Sequence, residues 1–271
     1  MTEFLSSLSQ PFMLRALIVG TVISVCAALL GVILVLKRYA LIGHGLADIG
    51  FASLSLAIAL GWSPLYVSMP IVAVASFAIM LISQKSGGNG DTAIGVVSTG
   101  ALSVGIIITY LAGGMNVDVY SYMFGSILGT TDADLYLSIP LGLVVIAAFI
   151  LLYNRLFMVT YDEIYAKACG INVTLYQFFI SLLTAITVVI GMRMMGTLLI
   201  ASLIIFPALI SKRLVRSFKS VVVVSSFVSV ICFLIGLILS FFLDLPVGAS
   251  IVAVNMLALL IAAVISKVKN R

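Results

Sequence analysis

Apolar runs of roughly 20 residues, separated by short polar joints, recur along the chain from Pro11 to Lys267. No segment shows the apolar–polar alternation over about 10 residues that a membrane β-strand requires. The pattern predicts nine membrane-spanning helices, at roughly 12–36, 39–60, 65–83, 93–113, 133–153, 174–192, 197–211, 220–242 and 247–267. The seventh is short. Residues 117–130 are too short and too polar to cross alone, and are expected to form a re-entrant or interfacial helix buried by protein. Proline and glycine mark the joints at Trp62-Ser63-Pro64, Gly113-Gly114 and Pro246-Val247-Gly248.

Composition supports this reading. Of 271 residues, 63% are hydrophobic and 8% charged, and mean hydropathy is +1.33. A water-soluble globule of this length needs a largely polar skin, which this chain cannot supply. The expected class is therefore an all-α polytopic membrane protein forming a single transmembrane domain over residues 1–271. The opening MTEFLSSLSQPFMLR carries Glu3 and lacks a basic start, so the run after Pro11 reads as a permanent span and not as a signal peptide. The three cysteines have no CxxC spacing, and read as packing residues.

Lysine and arginine set the orientation. With the N-terminus outside and nine spans threaded, the inner side receives Lys37, Arg38, Lys85, Arg155, Lys167, Lys212, Arg213, Arg216, Lys219, Lys267, Lys269 and Arg271. The outer side receives only Arg15 and Arg193. The net charge of +5 is thus an orientation signal facing membrane lipid, with no call for a nucleic-acid partner. The largest cytoplasmic joints, Gln84–Thr92 and Thr160–Val173, are far too small for a nucleotide-binding domain. SGGNGD in the first lacks the GK[ST] ending of a phosphate loop, so any ATPase would be another chain.

Candidate chemistry concentrates in the second span. GHGLADIG, residues 43–50, holds the only histidine of the chain and, four residues on, Asp48. Counted from Arg38, Asp48 lies roughly 15 Å into the membrane, and His44 shares its face one turn nearer the cytoplasm. Asp48 is the only carboxylate placed inside the hydrocarbon, where a charge costs a few kcal/mol or more and needs a partner or a polar pathway. The pair could be a structural contact between helices. It could equally offer imidazole nitrogen and carboxylate oxygen to a divalent cation, a set that suits Zn²⁺ well and Mn²⁺ acceptably. Intramembrane ionisable residues usually mark pathways, which favours the second reading. Two ligands do not close a structural zinc site, and open coordination suits an ion in transit. Gly43, Gly45, Ala47, Gly50, Ala52 and Ser53 allow close approach by another helix or a second copy of the chain.

Other features are weaker. TYDEIYAKACGINV, residues 160–173, has acids at the start of a short helical pattern and Gly170 at its end. It is either a solvated connecting helix or a docking helix for a cytoplasmic partner. In GMRMMGTLLIASLIIFPAL, residues 191–209, the methionines read as packing, and Gly191, Gly196 and Pro207 predict a kinked or broken helix. Ser202 and Asn255 read as helix-packing hydrogen bonders. Enzyme signatures such as HExxH, GxSxG or an aspartyl dyad are absent, so no catalytic role is expected.

Taken together, six segments in order resemble the permease subunits of zinc/manganese ABC importers, the ABC-3 family. They are RYALIGHGLADIGFASLSLAIALG, GDTAIGVVSTGALSVG, YMFGSILGT, TYDEIYAKACGI, GMRMMGTLLIASLIIFPAL and DLPVGASIVAVN, spread from about Gly31 to Val264. The resemblance implies a helical fold similar to type II ABC importers in a bacterial plasma membrane, with the C-terminus cytoplasmic. It implies a homodimer whose interface is the path of Zn²⁺ or Mn²⁺, with His44 and Asp48 as ligands and no permanent cofactor. It further implies two cytoplasmic ABC ATPase subunits and an extracellular metal-binding protein. The element that docks on the ATPase matches Asp162, Glu163, Ala166 and Gly170 here. Relatives commonly place the carboxylate first and histidine four residues later. In this chain the order is reversed, which keeps the face and the ligand types and exchanges their depths. The competing function is a secondary transporter with Asp48 titrating to couple protons. Such carriers often carry inverted repeats, and none is evident.

Overall fold

The computed structural model describes residues 11–85, 90–112, 125 and 132–269. The described residues form ten helices and no strand. They are α1 Pro11–Leu36, α2 Leu41–Ala59, α3 Pro64–Lys85, α4 Gly90–Leu111, α5 Asp132–Tyr161, α6 Glu163–Ala168, α7 Val173–Met195, α8 Thr197–Leu214, α9 Phe218–Leu243 and α10 Val247–Lys269. All except α6 are long and apolar enough to cross a membrane, which gives the nine expected spans. Helices are the physical answer here, because backbone polar groups in hydrocarbon must be satisfied within the segment itself. Hydroxyls follow the same rule. Ser55, Thr109, Thr184 and Thr187 each donate to the carbonyl four residues earlier. The expected re-entrant segment at 117–130 lies outside the described residues, apart from Gly125.

Burial sorts the helices into centre and periphery. Of the central stretch of α1, 78% is buried, and of α2, 72%, against 22% for α4 and α5. Helix α1 touches α5, α7, α8 and α9, while α2 touches α3, α4, α7 and α8. The helix carrying His44 and Asp48 is therefore a core element with α4 along one side. Small residues let these neighbours in. A Cβ on Gly105 of α4 would stand 2.9 Å from the Ala52 Cα and from the Phe51 ring of α2. The Thr109 and Ser55 hydroxyls meet at 3.0 Å on the same seam. On the opposite flank of the core, the Ser76 and Ser181 hydroxyls meet at 2.6 Å between α3 and α7. Ser229 of α9 donates to the Ser24 carbonyl of α1 at 2.9 Å.

Two details differ from the sequence expectation, and one expected break is located. Helix α5 runs to Tyr161 instead of ending near residue 153. Its extra turns are held by aromatic packing, with Tyr153 and Phe157 against Phe218 of α9 at ring separations of 5.4 and 5.1 Å. The Arg155 guanidinium also donates to the Tyr176 hydroxyl of α7. The break expected in 191–209 falls at Gly196, whose φ of 86° lies in the left-handed region, while Pro207 sits inside an unbroken α8. Ser202 and Asn255 donate to carbonyls of their own helices, Leu199 and Ile251, and do not bridge to neighbours. Met192, Met194 and Met195 are buried packing residues, as expected.

Two outcomes test this arrangement. Gly105→Ala should destabilise the purified chain by about 1–3 kcal/mol through overpacking against α2. Gly100→Ala, where a Cβ would meet nothing within 4 Å, should be neutral or stabilising in the same thermal unfolding experiment. For orientation, Cys169 is the exposed cysteine, whereas Cys26 and Cys232 are buried. A membrane-impermeant maleimide should label the native chain from the cytoplasmic side only, and a Ser63→Cys variant lacking Cys169 from the outer side only. Labelling of both from one side would overturn the threading.

Candidate metal site and connecting helix

Helix α2 presents the two candidate ligands differently. Asp48 is buried, with its side chain 9% exposed, whereas the His44 side chain is 53% exposed. His44 Nε2 stands 3.7 Å from Asp48 Oδ2, too long for a hydrogen bond and short enough for electrostatic attraction when the imidazole is protonated. Two ligands each about 2.0–2.1 Å from a tetrahedral zinc would stand about 3.3 Å apart. The observed spacing is thus a few tenths of an ångström from what one ion needs, and a side-chain rotation supplies the difference.

The second partner of Asp48 comes from α4. The buried Ser98 hydroxyl donates to Asp48 Oδ2. Glycine at position 45 makes this possible, since a Cβ there would stand 2.9 Å from Ile94 and 3.8 Å from the Ser98 Cβ. Gly43 lies against Ile204 of α8 and Gly50 against Met192 of α7. The small residues around the pair therefore seat helices of the same chain on three sides. Among the described residues no group of three or more His, Cys, Asp or Glu side chains gathers in a way that could hold a metal ion. One chain offers an imidazole, a carboxylate and a hydroxyl, which is an open and weak set for a divalent ion. Ser98 lies within a segment that carries the family resemblance, but nothing in its spacing singles it out from the other serines of the spans.

The remaining candidate residues cluster around α6. Asp162 is its N-cap, with Oδ1 accepting from the backbone N–H of Ile164 and Tyr165, both at 2.9 Å. Ala166 is fully buried, and Gly170 closes the helix with φ 78°. Glu163 turns inward. Its Oε1 accepts from Lys37 Nζ at 2.7 Å and from Gln177 Nε2 at 2.9 Å. The Lys37 side chain is 4% exposed. Burial pushes its ammonium below the usual lysine range, and Glu163 opposes that shift. Lys37 reads in sequence as an orientation charge, and its tie to a residue 126 positions away is visible only in three dimensions. The outer face of α6 is left to Ile164 and Tyr165, 83% and 58% exposed.

Similarity to known proteins extends along nearly the whole chain. The manganese import system permease protein ScaB of Streptococcus parasanguinis is 28% identical over 262 residues, covering 96% of this chain and 93% of ScaB. The high-affinity zinc uptake system membrane protein ZnuB of Haemophilus influenzae is 30% identical over 238 residues, covering 88% of this chain and 91% of ZnuB. The solved structure of PsaBC from Streptococcus pneumoniae in complex with Fab contains a chain that matches with a TM-score of 0.86 at 27% identity, over 96% of this chain and 94% of that one. The ABC 3 transport family matches residues 9–266. An all-helical multi-pass membrane protein with this likeness along nearly its whole length is a permease of the metal ABC transporter kind, and the chain belongs to the ABC 3 transport family.

Proposed function

We propose that the chain, as one transmembrane permease domain over residues 1–271, forms the metal path of an ATP-driven importer of divalent ions. The ion is zinc first, with manganese as the second candidate. The observation that carries the reading is a buried carboxylate with an imidazole 3.7 Å away on one face of a central membrane helix. An ionised carboxylate costs about 2.5–3.5 kcal/mol or more at mid-membrane, so its retention calls for a function. A passing dication offsets that cost. Asp48 supplies charge, His44 a nitrogen that favours zinc, and Ser98 a neutral oxygen. The relatives' names support both metals, since ScaB is a manganese permease and ZnuB a zinc uptake protein.

His44 needs polar company in the membrane interior, and a second copy of the chain supplies it. Beside it, α4 exposes Thr99 and Ser103 together with Gly95, small residues over which a second chain can pack closely. Two copies around one path would bring two imidazoles and two carboxylates, enough for a four-ligand transit site. Outside, an extracellular metal-binding protein delivers the ion to a bacterial plasma-membrane complex whose N-terminus faces outward. Inside, Ile164 and Tyr165 on α6 dock on an ABC ATPase subunit. Asp162, Ala166 and Gly170 set the shape of that helix. ATP hydrolysis belongs to the partner chains, and this subunit carries no catalytic residue.

The test is uptake of Zn²⁺ and Mn²⁺ by the complex reconstituted with its ATPase and binding protein. His44→Ala and Asp48→Ala should each lower uptake per assembled complex at least tenfold, while the ATPase stays bound. Uptake per complex at the native level in both variants would remove the pair from the path. Uptake without ATP, driven by a pH gradient, would make the protein a proton-coupled carrier.

A further inference from the structure

The contact that ties the cytoplasmic helix to the rest of the molecule has a direction. The Glu163 side chain is 40% exposed, yet its Oε1 is engaged within the chain. It reaches back to Lys37, the first residue after α1, and to Gln177, in the second turn of α7. Lys37 opens the four-residue turn that leads into α2, the helix of His44 and Asp48. We propose that the Lys37–Glu163 ion pair is a strut that carries displacement of α6 to the base of α2, so that these two residues couple ATP hydrolysis to the opening of the metal path.

The turn has the stiffness this requires. The Lys37 N–H donates to Ile33 and that of Tyr39 to Leu34, at 3.0 and 2.8 Å, so the turn stays bonded to the last turn of α1. Arg38 adopts φ 63°, in the left-handed region that reverses a chain sharply. The Ile42 N–H donates to the Tyr39 carbonyl at 3.1 Å, bonding the turn to the first residues of α2. Tyr39 also feels the partner helix. Burial, and then the charge of Glu163, push its hydroxyl above the usual tyrosine range. A pull on Glu163 therefore meets a compact, hydrogen-bonded corner and not a slack loop.

The pair is suited to transmission because its cationic partner is buried. Lys37 is nearly inaccessible, and separating it from Glu163 would leave a buried, uncompensated ammonium. A surface ion pair would exchange with water and transmit nothing. Gln177 fixes the same carboxylate oxygen from α7, so one atom of α6 is joined to α7 and to the turn between α1 and α2 at once. Asp162 acts separately, through the backbone of α6, and Ile164 and Tyr165 remain free to meet the ATPase. Glu163 and Lys37 are positioning residues in this scheme, since they touch neither metal nor nucleotide.

The inference rests on the proposed ATP-driven import, and the native complex is the control that separates the two. If the native complex shows no ATP-dependent uptake, the functional reading fails before the strut is tested. Given that uptake, the readout is metal ions transported per ATP hydrolysed in proteoliposomes, with bound ATPase and thermal stability measured on the same preparation. Glu163→Gln keeps the side chain's shape and an acceptor for Lys37, and removes the charge. Lys37→Met keeps the stem. Each should retain the ATPase and its hydrolysis while transport per ATP falls at least fivefold. The exchange of Lys37→Glu with Glu163→Lys should return transport per ATP to within about twofold of native, because Gln177 can turn its carbonyl towards the new lysine. Native stoichiometry in both single variants overturns the proposal. So does loss of stability or of bound ATPase in proportion to lost transport, with no rescue by the exchange, since the pair would then only hold the fold.

Discussion

A carboxylate buried inside a membrane helix is the constraint around which this molecule is arranged. Asp48 would be unfavourable in plain hydrocarbon, and the surrounding structure answers that in three ways. The Ser98 hydroxyl donates to one oxygen, the imidazole of His44 stands within reach of it, and α2 is enclosed by four other spans. The enclosure depends on small side chains. Gly43, Gly45 and Gly50 bring α8, α4 and α7 against the helix, and Gly105 lets α4 run along it at backbone distance. The polar site and the apolar packing are thus one design. The residues that admit neighbouring helices also bring Ser98 to the carboxylate, and they leave His44 facing outward.

The same helix begins at a corner held by α6. Lys37, the turn to Leu41, and α2 form a continuous path from Glu163 to the candidate ligands. Within one chain, the proposed partner surface and the candidate ion site are joined by a part-buried ion pair and a bonded turn. Such an arrangement fits a permease, whose own residues perform no chemistry and whose task is to move an ion when another subunit moves.

Much of this was legible in the sequence, for identifiable reasons. Spans of about 20 apolar residues announce themselves, and all nine are present. Asp48 and His44 stood out because ionisable groups are rare in such spans. Asp162 and Gly170 carried the ordinary capping chemistry of a short helix, and the structure uses both that way. The extension of α5 past residue 153 was not legible, because Asn154 and Arg155 look like a membrane boundary until Phe218 is seen against Phe157 and Tyr176 against Arg155. Ser98 was hidden among many serines, most of which only bond their own helix. The Lys37–Glu163 pair joins residues 126 positions apart, and no periodicity connects them. What local pattern cannot encode is which face meets which, and both unforeseen contacts are of that kind.

The most direct test of the ion path uses the fact that His44 is the only histidine in the chain. The purified permease, free of any histidine tag and carrying ¹⁵N-histidine, can be loaded with Mn²⁺ and studied by electron–nuclear double resonance. A ¹⁵N coupling of the size expected for a directly bound imidazole, lost in His44→Ala and weakened in Asp48→Asn, is the predicted result. A bound-manganese spectrum showing oxygen ligands alone, unchanged by either substitution, would contradict the claim that this pair handles the metal.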